Sequence, residues 1–115
     1  MGDDLTLKNL DSFRGTENYH SVLGADVTDG VAYIMNNGYS WFVTDAIAVI
    51  KNKLWDEDFL AVKLKIYKKG KYEAKMTIED GNEKVLYEQN YNFTTAKKEL
   101  LLFWNDGVLM LSSEY

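Results

Sequence analysis

From residue 59 onward the chain alternates apolar and polar positions with period two. Leu60, Val62, Leu64 and Ile66 alternate with Ala61, Lys63, Lys65 and Tyr67, the pattern of a half-buried strand. Gly70, flanked by Lys68, Lys69 and Lys71, turns the chain. Tyr72, Ala74, Met76 and Ile78 then form a second inward set, and Asp80-Gly81-Asn82 signals a hairpin. Val85, Tyr87, Gln89, Tyr91 and Phe93 are the inward set of a third strand. After a loop over 94–98, residues 100–104 and 108–111 read as a fourth and fifth strand joined at Asn105-Asp106-Gly107. The first half has a different period. Thr28 is a helix N-cap with Asp29 in the first turn, Val31, Ile34 and Met35 share a face, and Asn37-Gly38 is a stop. A second helix, capped by Ser40, carries Phe42, Ala46, Val49, Ile50 and Lys53 at helical spacing. It is apolar nearly all round up to Lys51, which predicts a central buried helix. Residues 54–58 are its exit loop, with Trp55 over a core edge. Gly15 to Gly24 has no sustained period and reads as an ordered loop or short helix. The expected fold is α+β: an antiparallel meander of about five strands with two to three N-terminal helices packed on one face. One domain spans 1–115, with a loose N-terminal tail over 1–12, a helical layer over 13–55 and the sheet over 59–111.

Composition narrows the class. A 115-residue chain with 46% hydrophobic and 14% aromatic residues can bury a core of its own. Cysteine is absent, which excludes a disulfide framework and a thiolate zinc site. No apolar run approaches the roughly 20 residues of a membrane span. The opening MGDDLTLKNL lacks the basic start and apolar stretch of a signal peptide. The expectation is a soluble, cytoplasmic protein. The net charge of -5 is uneven. Residues 1–58 carry ten Asp/Glu against four Lys/Arg, giving -6, and residues 59–115 carry eight against nine, giving +1. An acidic domain is a poor direct ligand for nucleic acid, which rewards clustered cations. It can attract a basic protein surface, or its acids can simply confer solubility. Lys63, Lys65 and Lys75 with Lys68, Lys69 and Lys71 make one end of the outer sheet face basic. That face is either solvated and paired with Glu73 and Glu79, or a weak phosphate or nucleic-acid patch, which lacks arginine and has few aromatics.

Candidate chemistry is sparse. There is no GxSxG, P-loop, GxGxxG or HExxH motif. The residues that could be catalytic are His20, Asp45 and Glu17, but no motif selects them. His20 with Glu17, Asp26 or Asp29 is too thin a set for a metal, and no metal or cofactor is expected. Asp45 lies in WFVTDAIAVI among apolar residues. It is either a ligand-binding acid or a structural one that accepts hydrogen bonds, since a buried carboxylate needs partners. Gly30 follows Asp29 and implies close approach of a neighbouring element. Aromatic residues are abundant, and exposed Tyr and Trp anchor interfaces. The candidate binding residues are Tyr33, Tyr39, Trp41, Trp55 and Tyr115, with the acids Asp26, Asp29, Asp56, Glu57 and Asp58.

GTENYH, TDGVAYI, GYSWFVTDAIA, the DGN hairpin and the closing DGVLMLSSEY resemble a family of small proteins catalogued only as a domain of unknown function. Its members occur in bacteria and on phage and plasmid-like elements. The resemblance runs from about Phe13 to the end and marks Gly15, Thr16, Glu17, His20, Thr28, Asp29, Gly30, Trp41, Asp45, Ser113, Glu114 and Tyr115 as its signature positions. Ser112 departs from the pattern, where proline is frequent. The resemblance implies no established activity. Its setting implies a role in conflict between mobile element and host. The expectation is a non-enzymatic acidic binding protein, an inhibitor of a bacterial defence system of the anti-CRISPR kind, acting on a protein partner with a basic surface. The alternative is a small enzyme or ligand-binding domain with a pocket around Glu17, His20, Trp41 and Asp45.

Overall fold

The computed structural model describes residues 10, 12–67, 73–92, 96 and 98–115. Seven strands form one sheet: β1 (Tyr19–Val22), β2 (Ala25–Thr28), β3 (Phe59–Ile66), β4 (Ala74–Asp80), β5 (Val85–Tyr91), β6 (Leu100–Asn105) and β7 (Val108–Leu111). Between β2 and β3 lie α1 (Asp29–Ile34), a π-type turn (Met35–Tyr39) and α2 (Ser40–Lys53). The α+β expectation holds. The antiparallel meander does not, because the sheet order is β1-β2-β7-β6-β3-β4-β5 and β2 runs parallel to β7.

The five strands read from the period-two pattern are all present, but β6 pairs with β3 rather than with β5. Alternation fixes which face a residue points to, not which strand lies beside it. Leu60, Val62 and Leu64 face Trp104, Leu102 and Leu100 on one side, and Val62 and Leu64 face Ile78 and Met76 on the other. This apolar row is continuous only with β3 in the middle. Two further strands precede α1: β1 lies within the stretch read as a loop or short helix, and β2 between that stretch and the Thr28 cap. Leu23 and Gly24, at φ 52° and 85°, turn the chain between β1 and β2 as a tight hairpin. The helical layer therefore covers Asp29–Lys53 and not the whole of 13–55. Val85 leaves its expected inward position: a register shift between Ile78 and Glu79 sets it opposite Glu79, and it is exposed. The tail over 1–9, the turn at 68–72 with Tyr72, and the positions of Phe93, Thr94, Thr95 and Lys97 lie outside the described residues.

α2 is the one long helix, and it is one-sided rather than apolar all round. Phe42, Val43, Ala46, Ile47 and Ile50 are buried, whereas Ala48 and Lys53 are exposed. The buried stripe joins the inward residues of β3, β4, β6 and β7 in one core. The stop expected at Asn37-Gly38 is a kink: Gly38 takes φ 102° and the chain continues into α2. Ser40 opens α2 without capping it, since Tyr39 holds the cap position with no side-chain bond.

Candidate functional site

Thr16, Glu17, His20, Thr28, Asp29, Gly30 and Glu114 meet at the start of α1. The Thr28 hydroxyl accepts from Val31 N–H at 3.4 Å, the N-cap bond read from sequence, and donates to Glu114 Oε1 at 2.6 Å. Glu114 also accepts from Leu111 N–H at 2.9 Å and, through Oε2, from Gly30 N–H at 3.0 Å. One carboxylate from the far end of the chain thus satisfies donors of two elements. Gly30 is required here: a Cβ would lie 2.5 Å from the Leu111 side chain and 2.6 Å from Glu114 Oε1.

Asp29 forms a second knot beside the first. Its N–H donates to the Thr16 hydroxyl at 2.9 Å. Its Oδ2 accepts from the N–H groups of Glu17 and Asn18 at 3.1 and 3.3 Å, and its Oδ1 lies 2.9 Å from His20 Nε2. An ionised carboxylate only accepts, so the His20 Nε2 carries the proton. The His20 contact first, then the Glu17 N–H, with smaller help from Thr16 and the Asn18 N–H, holds the Asp29 carboxyl below the usual 3.8 against the opposing effect of burial. This knot pins the 16–18 segment and β1 to α1. Glu17 takes part through its backbone, and its side chain is exposed.

Asp45 and Trp41 lie elsewhere. Asp45 Oδ2 accepts from the Tyr91 hydroxyl at 3.0 Å. Trp41 meets the Tyr91 ring edge-on at 5.0 Å, and its indole N–H donates to Gly38 O at 2.9 Å. Burial and Asp45 push the Tyr91 hydroxyl well above its ordinary range. Tyr91 is on β5 and His20 on β1, the two opposite edges of the sheet, six strand spacings of about 4.8 Å apart. The group Glu17, His20, Trp41 and Asp45 is thus divided between two places. Among the described residues no cluster of three or more metal-ligating side chains occurs.

A surface groove of about 650 Å³ opens where α2 hands over to β3. Trp104, nearly fully buried, and Trp55, 56% exposed, lie 6.3 Å apart in it at a tilt of 56°. Glu57, Asp58, Asn105, Asp106 and Gly107 complete its lining. Asp106 and Gly107, at φ 54° and 82°, make the tight β6–β7 turn that projects the Asp106 carboxylate. Asp26 adjoins, its N–H donating to Gly107 O at 3.3 Å. Among the described residues, Asp26, Asp56, Glu57, Asp58 and Asp106 have no ion-pair partner. At the other end of the sheet, Lys63 pairs with Glu79 at 3.1 Å and Lys75 with Glu88 at 3.8 Å. Lys65 is exposed, and Lys68, Lys69 and Lys71 lie outside the described residues.

The expected binding residues are therefore sorted. Trp55, Glu57 and Asp58 come together in the groove, with Asp26 and Asp56 exposed on the same acidic part of the chain. Tyr115 is 67% exposed, and its ring packs on Phe59 and Phe103 at 5.4 and 5.3 Å on the sheet face away from α2. Tyr33 is half-buried against Phe13. Tyr39 is a correction: it is 2% exposed and its hydroxyl accepts from Lys98 N–H at 3.0 Å, because the kink at Gly38 turns its ring inward. Sequence reasoning missed Trp104 and Asp106 as groove residues. Trp104 reads as core from its inward parity, and Asp106 reads as a turn former. Their pairing with Trp55 is a tertiary fact with no local signal.

No helix among the described residues is long and apolar enough to cross a membrane. The model of a family described as a family of unknown function (DUF6876) matches residues 4–115. The chain matches no curated protein and no solved structure.

Proposed function

We infer, for a chain that belongs to the family of unknown function DUF6876, a non-enzymatic role: an acidic binding protein that engages a basic surface on a protein partner. The single observation that carries this reading is the gathering of unpaired carboxylates beside an exposed tryptophan. Asp26, Asp56, Glu57, Asp58 and Asp106 have no ion-pair partner among the described residues, while Glu79 and Glu88 are each matched to a lysine. Unpaired surface acids at one end speed and orient encounter with a cationic partner. Trp55 supplies an aromatic anchor of the kind that carries interface affinity. A bacterial defence nuclease with a basic nucleic-acid groove is the partner class to try first, which would make the protein an inhibitor of the anti-CRISPR kind acting in the cytoplasm.

The enzyme or ligand-pocket reading required Glu17, His20, Trp41 and Asp45 around one cavity. His20 contacts Asp29 beside β1, whereas Asp45 contacts Tyr91 on β5 at the opposite sheet edge, and this placement favours the binding reading over that one.

The experiment is capture of a partner from a bacterial host with the tagged protein, identified by mass spectrometry. The same capture is run with Asp26, Asp56, Glu57 and Asp58 all changed to lysine. The reading expects a protein with a basic surface that the wild type retains and the variant loses. Retention of the same protein by both would overturn it.

A further inference from the structure

The groove at the acidic end has a floor, a wall and a rim of different chemistry. The floor is Trp104, the wall is Trp55, and Glu57, Asp58 and Asp106 stand at the rim. Three of its seven lining residues are carboxylates and none is basic. The Trp55 ring already accepts a cation from within the chain, for the Lys51 ammonium sits 5.4 Å from its centroid, inside the range of a cation–π contact. We propose that this groove receives a single arginine side chain of the partner's basic surface, its guanidinium laid against Trp55 and its N–H groups directed to the rim carboxylates.

This rests on the acidic-binding reading and names what the partner must present. Charge complementarity selects a cation. The pairing of a flat aromatic wall with carboxylates selects arginine. A planar guanidinium can stack on an indole face and donate in its own plane to carboxylates at the same time. A lysine ammonium is a compact, strongly hydrated charge and gains less from the indole wall. An uncharged side chain would bring no counter-ion to the three carboxylates. The position also suits an anchor, since the exposed Trp55 ring is backed by the buried Trp104 ring and so is held in place.

The test is a titration of the isotope-labelled full chain, followed at the tryptophan indole N–H resonances. The probe is a short peptide alternating glycine and arginine, and its controls replace arginine by lysine or by citrulline. The arginine peptide is expected to shift the Trp55 and Trp104 resonances. The lysine peptide is expected to bind more weakly, by about threefold or more, and the citrulline peptide to leave both resonances unmoved. Trp55→Ala should weaken the arginine peptide by about tenfold or more. The Glu57→Gln/Asp58→Asn protein, which keeps the ring packing, should weaken it as well. Citrulline or lysine matching arginine, or unmoved indoles with the arginine peptide, overturns the proposal. The two readings fail separately. A captured partner that is lost on reversal of Asp26 and Asp56 but kept by Trp55→Ala leaves the acidic-binding reading standing and removes the arginine groove.

Discussion

Glu114 and Gly30 show how much of this fold is decided by single atoms far apart in sequence. The Glu114 carboxylate serves Thr28, Gly30 and Leu111, and it fits only because Gly30 has no Cβ. Gly30→Ala should destabilise by about 1–3 kcal/mol through overpacking, outweighing the gain of up to about 1 kcal/mol that alanine brings to a helix. A urea midpoint that falls with unchanged slope would report this. Asp29 gives a pH prediction. Its folded-state pKa lies below the unfolded value of 3.8. The stability it contributes is therefore complete above that value and lost as pH falls through the lower folded one. Between about pH 5 and pH 2, Asp29→Asn should lose less stability than the wild type does, checked by urea unfolding at both ends. At this scale the sequence was half legible. Thr28 as cap and Gly30 as a close approach could be read from their neighbours. Glu114 as their partner could not, because nothing local links residues separated by 84 positions.

At the scale of elements, α2 and the kink before it carry the argument. The buried stripe runs through Val43 and Ile47, while Ala48 points outward. Ile47→Ala should cost about 2–5 kcal/mol, and Ala48→Glu should stay within about 0.5 kcal/mol of wild type. Thermal or urea unfolding of the two proteins separates a one-sided helix from the fully buried one that its composition suggested. Gly38 at φ 102° makes Gly38→Ala unfavourable by about 1–2 kcal/mol. The longer strands were legible because their alternation is sustained and their turns carry glycine and asparagine. β1 and β2 were not. Each has four residues, too short for a period to show, and Leu23 at positive φ is not a turn signal. The parallel pairing of β2 with β7 was hidden for another reason. It follows from where β6 and β7 pack after β3 is placed, which is a property of the assembled core and not of any segment.

For the whole molecule the central matter is charge. The -6 of residues 1–58 and the +1 of residues 59–115 foreshadowed an uneven surface. The fold sharpens this, because Lys63 and Lys75 are paired with Glu79 and Glu88 while the acids around the Trp55–Trp104 groove have no ion-pair partner among the described residues. Asp106 joins that group from the second half of the chain, which a division by sequence position could not place. The group that looked most like a site in the sequence, Glu17, His20, Trp41 and Asp45, is divided between two places in the fold. Asp45→Ala is accordingly expected to lose about 1 kcal/mol of stability with its Tyr91 bond and to leave partner binding unchanged. The most direct measurement is calorimetric titration of the captured partner at about 50 and 500 mM salt, a change that shortens electrostatic screening severalfold. It compares the wild type with the protein in which Asp26, Asp56, Glu57 and Asp58 are lysines. The wild type should weaken by about tenfold or more at the higher salt, and the variant should fail to bind at either. Equal affinity of the two proteins, unchanged by salt, would contradict the account.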